Sequence, residues 1–138
     1  MTAANHSERG FVLKLDLRSG VPVYRQIIDQ VLGGISTGSL KAGDQLPTVR
    51  QLAVDLAINP NTVVRAYREL EIRGVLATQQ GTGTFITDKQ PEKNHLERQR
   101  RVTQLVGELL AKAGAEGIPM QELVDYFNEL KNEQNRRT

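Results

Sequence analysis

At 138 residues the chain has room for one domain with a modest core, or for a small domain plus an appendage. Cysteine is absent, which excludes disulfides, thiolate metal sites and cysteine nucleophiles. With His6 and His95 as the two histidines, an imidazole metal site is not expected either, and no cofactor is implied. Apolar runs of four residues or fewer exclude a membrane-spanning helix. The opening MTAANHSERG lacks the apolar core of a signal peptide, so a cytoplasmic protein is expected. Hydrophobic content of 38% is slightly low for a compact monomer, which points to a second chain completing the core. The net charge of +2 is spread evenly: residues 41–90 carry six Lys/Arg against five Asp/Glu, and residues 91–138 eight against eight. An anionic partner must therefore be argued from where single charges sit.

Phe11, Leu13, Leu15 and Leu17 alternate loosely and predict a short strand or extended arm. Ser19-Gly20-Val21-Pro22 opens a helix, Pro22 near its first position, in which Tyr24, Ile27, Ile28, Val31, Leu32 and Ile35 form one apolar stripe. Gly38 ends it, and Ser39 to Asp44 reads as a loop. Pro47 and Thr48 start a short helix with Val49, Leu52, Ala53 and Leu56 inward. Ala57-Ile58-Asn59 makes a turn, with Asn59 as N-cap and Pro60 at the first position of the next helix, which runs to about Arg73 before Gly74. Val75 to Thr78 and Thr84 to Thr87 are β-prone runs around a Gly-rich tip and predict a hairpin. Asp88 to Asn94 reads as a polar linker. Leu96, Val102, Leu105, Val106, Leu109, Leu110 and Ala113 then share one helical stripe, broken over Gly114 to Gly117. Pro119 opens a last helix with Met120, Leu123, Val124, Phe127 and Leu130 inward, fading into a charged tail. The fold class is mainly α with a small β-hairpin: a winged helix-turn-helix followed by a two-helix tail.

Unwrapped at about 100° per residue, the helix from Asn61 to Arg73 packs Val63, Ala66, Tyr67 and Leu70 inward. Its opposite side carries Asn61, Arg65, Arg68 and Ile72, flanked by Thr62 and Val64. Arginine reads guanine, asparagine reads adenine, and a valine can touch a thymine methyl. An ordinary solvated face, with Arg65 and Arg68 paired to Glu69 or Glu71, remains open on this reading. Arg50 lies in the first turn of the preceding helix, within reach of a phosphate or the groove edge. Thr48 and the amides beside it suit a phosphate. Gln79, Gln80, Gly81, Thr82 and Gly83 form a tip small enough to approach a DNA backbone or minor groove, although glycines are also what any tight hairpin needs.

Taken together, these pieces closely resemble the GntR family of bacterial transcription regulators. The resemblance rests on Leu46, Pro47, Arg50, Leu52 and Ala53, on Asn59, Thr62 and Val63, on Leu70 and Gly74, and on the wing Gly81, Gly83, Thr84 and Phe85. It covers about residues 21–87. The segment NPNTVVRAY and the short tail are similar to the YtrA-like branch. In many members an arginine directly follows the Thr-Val pair; here Val64 stands there and the arginine comes one place later, at Arg65. The resemblance implies a cytoplasmic homodimer that binds a palindromic double-stranded operator, acts mostly as a repressor and often controls ABC-transporter genes. The one-place shift of the arginine moves its side chain about 100° around the helix, so the family's arginine contact does not carry over directly and Arg65 stands as a candidate by its exposed position. With the reading of the helix, its start and the tip, the DNA contacts expected are Thr48, Arg50, Asn59, Asn61, Thr62, Val64, Arg65, Arg68, Gln80, Gly81, Thr82 and Gly83. Dimerisation would fall to Leu105, Leu109, Leu110, Leu123, Phe127 and Leu130. The organisation expected is a flexible N-terminus over residues 1–10, the DNA-binding domain over 11–88, a linker over 89–94 and a dimerisation region over 95–138. A tail of two helices leaves little volume for an effector pocket, so any effector would sit between subunits or between tail and winged domain.

Two other function classes compete. A winged helix that binds protein instead of DNA would use the same exposed helix, but a polar, Arg- and Asn-bearing face suits it less well than large apolar anchors would. An enzyme is disfavoured, since no nucleophile–base pairing is visible among the scattered charges.

Overall fold

The computed structural model describes residues 2–3, 11–88 and 95–137; the linker expected over 89–94 and most of the N-terminal segment lie outside them. The chain divides into two compact units, one holding everything described up to Asp88 and the other built from the two C-terminal helices.

In the first unit Thr2–Ala3 (β1) pairs antiparallel with Leu13–Lys14 (β2). Phe11, Leu13 and Leu15 are buried, but Leu17 is 74% exposed, because the arm turns at Asp16, whose side chain and carbonyl accept from the amides of Arg18 and Ser19. Helix α1 (Val23–Thr37) follows, with Pro22 at its N-cap and Gly38 closing it at φ 83°. Ile27, Ile28 and Val31 are buried, while Ile35, at the end of the expected stripe, stays 37% exposed.

Two glutamines one turn apart on α1 hold the arm. Gln26 donates to the carbonyls of Asp16 and Val21, both at 2.9 Å, and accepts from the Asp16 amide at 2.8 Å. Gln30 does the same to Lys14, accepting from its amide at 2.8 Å and donating to its carbonyl. A carboxamide carries the donor and acceptor of a peptide group. Positions four apart on a helix rise about 6 Å, close to the roughly 6.8 Å between alternate strand residues, so the pair stands in for a neighbouring strand. Gly34 lets the arm close: a Cβ there would lie 2.8 Å from Phe11 Cε1 and 3.0 Å from Leu40 Cδ1.

Helix α2 (Val49–Leu56) and helix α3 (Pro60–Ile72) each start on a side-chain cap. Thr48 Oγ1 accepts from Gln51 N at 3.0 Å and Asn59 Oδ1 from Asn61 N at 2.8 Å, satisfying amides that a helix start leaves unpaired. Helix α3 packs against both α1 and α2, burying Val63, Ala66, Tyr67 and Leu70. It ends in a Schellman motif: Gly74, at φ 77°, donates to Glu71 O and Val75 to Leu70 O. The wing is Leu76–Gln79 (β4) and Gly83–Ile86 (β5), one residue earlier at each β5 end and one later at each β4 end than the β-prone runs. A third strand not expected from the sequence, Gln45–Leu46 (β3), pairs on the other edge of β5, giving the order β3-β5-β4.

The second unit holds α4 (His95–Ala115) and α5 (Met120–Arg137). Their connection is another Schellman motif: Gly117, at φ 73°, donates to Gly114 O and Ile118 to Ala113 O. That motif brings its flanking apolar positions together, and Ala113 is buried with Ile118 half-buried. Beyond the connection α4 and α5 do not lie along each other. This corrects the inward packing expected for the last helix: Met120, Val124 and Phe127 are exposed, and Leu123 and Leu130 only half-buried.

Tyr67 ties the two helices of the motif together, its hydroxyl donating to Pro47 O at 2.7 Å in a buried setting. Burial pushes its phenol pKa up. A folded-state pKa above the unfolded value of about 10 means stability that is whole below that pH and lost as pH rises past it. Tyr67→Phe leaves the Pro47 carbonyl unpartnered and is expected to cost about 1–3 kcal/mol at neutral pH. It should also flatten the fall in stability above about pH 10; urea melts across that range would show both, and an unchanged alkaline slope would refute the assignment.

Candidate nucleic-acid interface

The buried side of α3 fixes what its other side presents. Asn61, Arg65, Arg68 and Ile72 are exposed, as is Val64 at 36%, and Thr62 is half-buried. The expected face is therefore on one side of one helix, with Ile72 its most exposed apolar member at 75%. The alternative pairing of Arg65 and Arg68 with Glu69 or Glu71 is not what forms. Glu69 takes Arg73 Nε at 3.3 Å and Glu71 accepts from Thr78 Oγ1 at 3.3 Å. Among the described residues Arg50 and Arg68 make no ion pair. Arg65 instead lies over the ring of Tyr24 on α1, its guanidinium carbon 3.7 Å from the centroid.

The helix starts are less free than the sequence suggests. Thr48 Oγ1 and Asn59 Oδ1 are occupied by their caps, so either residue keeps only its remaining hydrogen-bonding capacity for an outside group. Asn59 is nonetheless exposed, and Thr48 with it. Between the two helices Ala57 adopts φ 54°, the one positive φ at a non-glycine residue among those described. The Ile58 amide reaches back to Ala53 O at 3.0 Å, which completes the tight turn.

The wing tip runs through Gln80, Gly81 and Thr82, all exposed. Thr82 N bonds Gln79 O at 3.0 Å, and Gly81 sits at φ 84°. Gln45 Nε2, from β3, donates to Thr82 O at 3.1 Å. This contact had no sequence signal, because a two-residue strand shows no period. It also explains Gly83: φ 137° is poorly suited to an L side chain, and a Cβ there would run into the Gln45 amide. Gly83 is needed by the wing's own architecture whatever the tip touches.

This geometry defines a winged helix-turn-helix transcription regulator. The sequence matches the family described as "Bacterial regulatory proteins, gntR family" over residues 23–86. It is 34% identical over 119 residues to the HTH-type transcriptional repressor YtrA of Bacillus subtilis, covering 86% of this chain and 92% of that one. It is 44% identical over 79 residues to the HTH-type transcriptional regulator Rv1152 of Mycobacterium tuberculosis, covering 57% and 65%. Among solved structures, YtrA from Sulfolobus acidocaldarius, a GntR-family transcription factor, is similar with a TM-score of 0.54 and 32% identity over 72% of this chain and 97% of that one. A transcriptional antiterminator from Listeria monocytogenes superposes with a TM-score of 0.63 at 25% identity, covering 86% and 91%. The chain belongs to the GntR family, and to its YtrA-like branch. No described helix is long and apolar enough to cross a membrane.

Gly83→Ala tests the wing geometry. Forcing a side chain into the left-handed region and against Gln45 is expected to cost about 1–3 kcal/mol, read from urea midpoints. Pairing it with Gln45→Ala should recover the steric share while leaving the backbone cost; no recovery would mean that Gln45 is not the obstacle.

Proposed function

We propose that the chain is a cytoplasmic homodimer that binds a palindromic operator and represses transcription, with no enzymatic activity. The observation that supports DNA reading most strongly is the outer side of α3. It offers Asn61, Thr62, Val64, Arg65 and Arg68 on a helix whose inner side is locked, and Arg68 has no internal ion pair among the described residues. Those groups match the donors, acceptors and methyl contact of a major-groove edge. Arg50, Thr48 and Asn59 supply phosphate or groove-edge contacts, and Gln80, Gly81, Thr82 and Gly83 a wing close to the backbone. Residues 11–88 then form the DNA-binding domain and 95–138 the dimerisation region, with 89–94 as linker.

The support for dimerisation is the exposed stripe of the second unit. Leu105, Leu109 and Leu110 on α4 and Phe127 on α5 are 36–56% exposed, and Leu123 and Leu130, also on α5, are half-buried. Proteins in water rarely leave so many large apolar side chains open along a helix face, and a second copy covers both helices with an isologous interface. Two recognition helices would then read half-sites about 34 Å apart or a multiple of that. The resemblance to the YtrA-like branch supports ABC-transporter genes as the class of gene the chain controls.

Gel shifts on the chain's own promoter, repeated over a salt series, provide the test of DNA binding. Arg50→Ala is expected to weaken binding to all sequences and to reduce the salt slope by about one; Arg65→Ala is expected to cost about tenfold or more on the preferred sequence. If both variants bind like the wild type, this face is not the reading face. Sedimentation should give twice the chain mass, and Leu109→Glu should release monomers. A wild-type monomer at tens of micromolar would refute the dimer.

A further inference from the structure

Tyr24 packs against the edge of the core, and its ring also carries Arg65, a contact between two helices that neither helix's own pattern announces. Tyr24 lies half-buried on α1 and Arg65 is exposed on α3, so the contact joins the outer side of one helix to the flank of another. Helix α3 packs on α1, and position 65 is the turn of the α3 surface that meets the ring. No carboxylate among the described residues pairs with Arg65. Neighbouring charges on α1 are already matched, Arg25 Nε standing 3.6 Å from Asp29 Oδ1.

A guanidinium lying over an aromatic face keeps its N–H groups in its own plane, pointing outward. Stacking therefore fixes the group without consuming its donors. A free arginine loses much rotamer freedom on being fixed, and a side chain already held at its tip loses less on binding. A salt bridge would hold Arg65 equally well but would occupy its fork and neutralise its charge. An aromatic face is thus the partner that leaves an arginine both ordered and able to read.

We infer that Tyr24 is a specificity-determining positioning residue: its ring pre-sets Arg65 so that the guanidinium fork reads one guanine of the target. The inference rests on the DNA-reading assignment of α3 made above, and it needs the ring of Tyr24, not its hydroxyl.

The test is selection of bound duplexes from a random-sequence library by the full-length chain, with wild type, Tyr24→Phe, Tyr24→Leu, Arg65→Ala and their double variant. Thermal melts of each protein accompany the selections. Arg65→Ala is expected to lose guanine preference at one base pair per half-site. Tyr24→Leu should weaken preference at that same pair by about two- to fivefold and leave other positions and the salt slope unchanged. Tyr24→Phe should keep the wild-type preference, and Tyr24→Leu should add nothing in the Arg65→Ala background. Overall weakening by Tyr24→Phe would overturn the inference, since it would assign the hydroxyl to a phosphate contact. A Tyr24→Leu effect at pairs that Arg65→Ala leaves alone would overturn it too, as would no effect at all. Should Tyr24→Leu melt out, Tyr24→Met, which keeps the packing volume and removes the aromatic face, takes its place in every comparison. A wild-type chain that enriches no sequence removes the DNA-reading assignment and this inference together, whereas enrichment without the Tyr24 pattern removes only the inference.

Discussion

The side of α3 formed by Val63, Ala66, Tyr67 and Leu70 is the contact on which the rest of the first unit depends. Three of these side chains are fully buried and Tyr67 nearly so, so the helix cannot rotate about its axis without exposing them. At roughly 25 cal/mol per Å² of apolar surface, burying four such side chains outweighs anything the polar side could exert on the helix. The Tyr67 hydroxyl bond to Pro47 O then ties the residue ahead of the α2 cap to α3. Rotation being fixed from within, the outward directions of Asn61, Val64, Arg65 and Arg68 follow as a consequence.

The arm and the wing solve a common problem by similar means. Each is a short piece of extended chain, too short to be stable alone. Each is held by a glutamine amide: Gln26 and Gln30 on the arm, Gln45 at the wing tip. A carboxamide can satisfy both a carbonyl and an amide, so it grips backbone regardless of the side chains that backbone carries. Glycine supplies the clearance, Gly34 beneath Phe11 and Gly83 beside Gln45. Because these grips are sequence-blind, they fix the path of the chain at Lys14, Asp16 and Thr82 without dictating the side chain there.

How much of this could be read in advance depended on whether the cause was local. Asn59-Pro60 and Thr48 announced their helix starts because a cap is a property of three or four consecutive residues. Gly38 and Gly74 announced helix ends for the same reason. Ala57 did not announce its left-handed turn, since alanine carries no preference for positive φ; the turn is imposed by the packing of the helices on either side. Strand β3 is invisible in a sequence because two residues have no period and the pairing partner, β5, lies some forty positions later. Angular placement around α3 was legible, as it needs only the helical repeat. That Arg65 lies over Tyr24 was not, because it is set by how α1 and α3 pack.

The second unit shows the opposite limit, where a correct pattern gives a wrong direction. Periodicity identified the stripes of α4 and α5, but a stripe says only that a face wants cover, not what supplies it. Within one chain the Schellman turn at Gly117 sends the helices apart, and Ala113 is the one apolar residue of the unit that is buried among those described. Helices of this length gain most of their stability in water from a packed apolar face and not from intrinsic propensity. On the proposed dimer, therefore, the second unit has little core of its own to fall back on, and its order becomes a function of chain concentration by mass action. Reading a palindrome with two recognition helices would then couple operator occupancy to the same concentration. The steepness of that response would be set by how well a second copy covers Leu105, Leu109 and Phe127, and not by any charge on the tail, whose eight basic and eight acidic residues over 91–138 cancel.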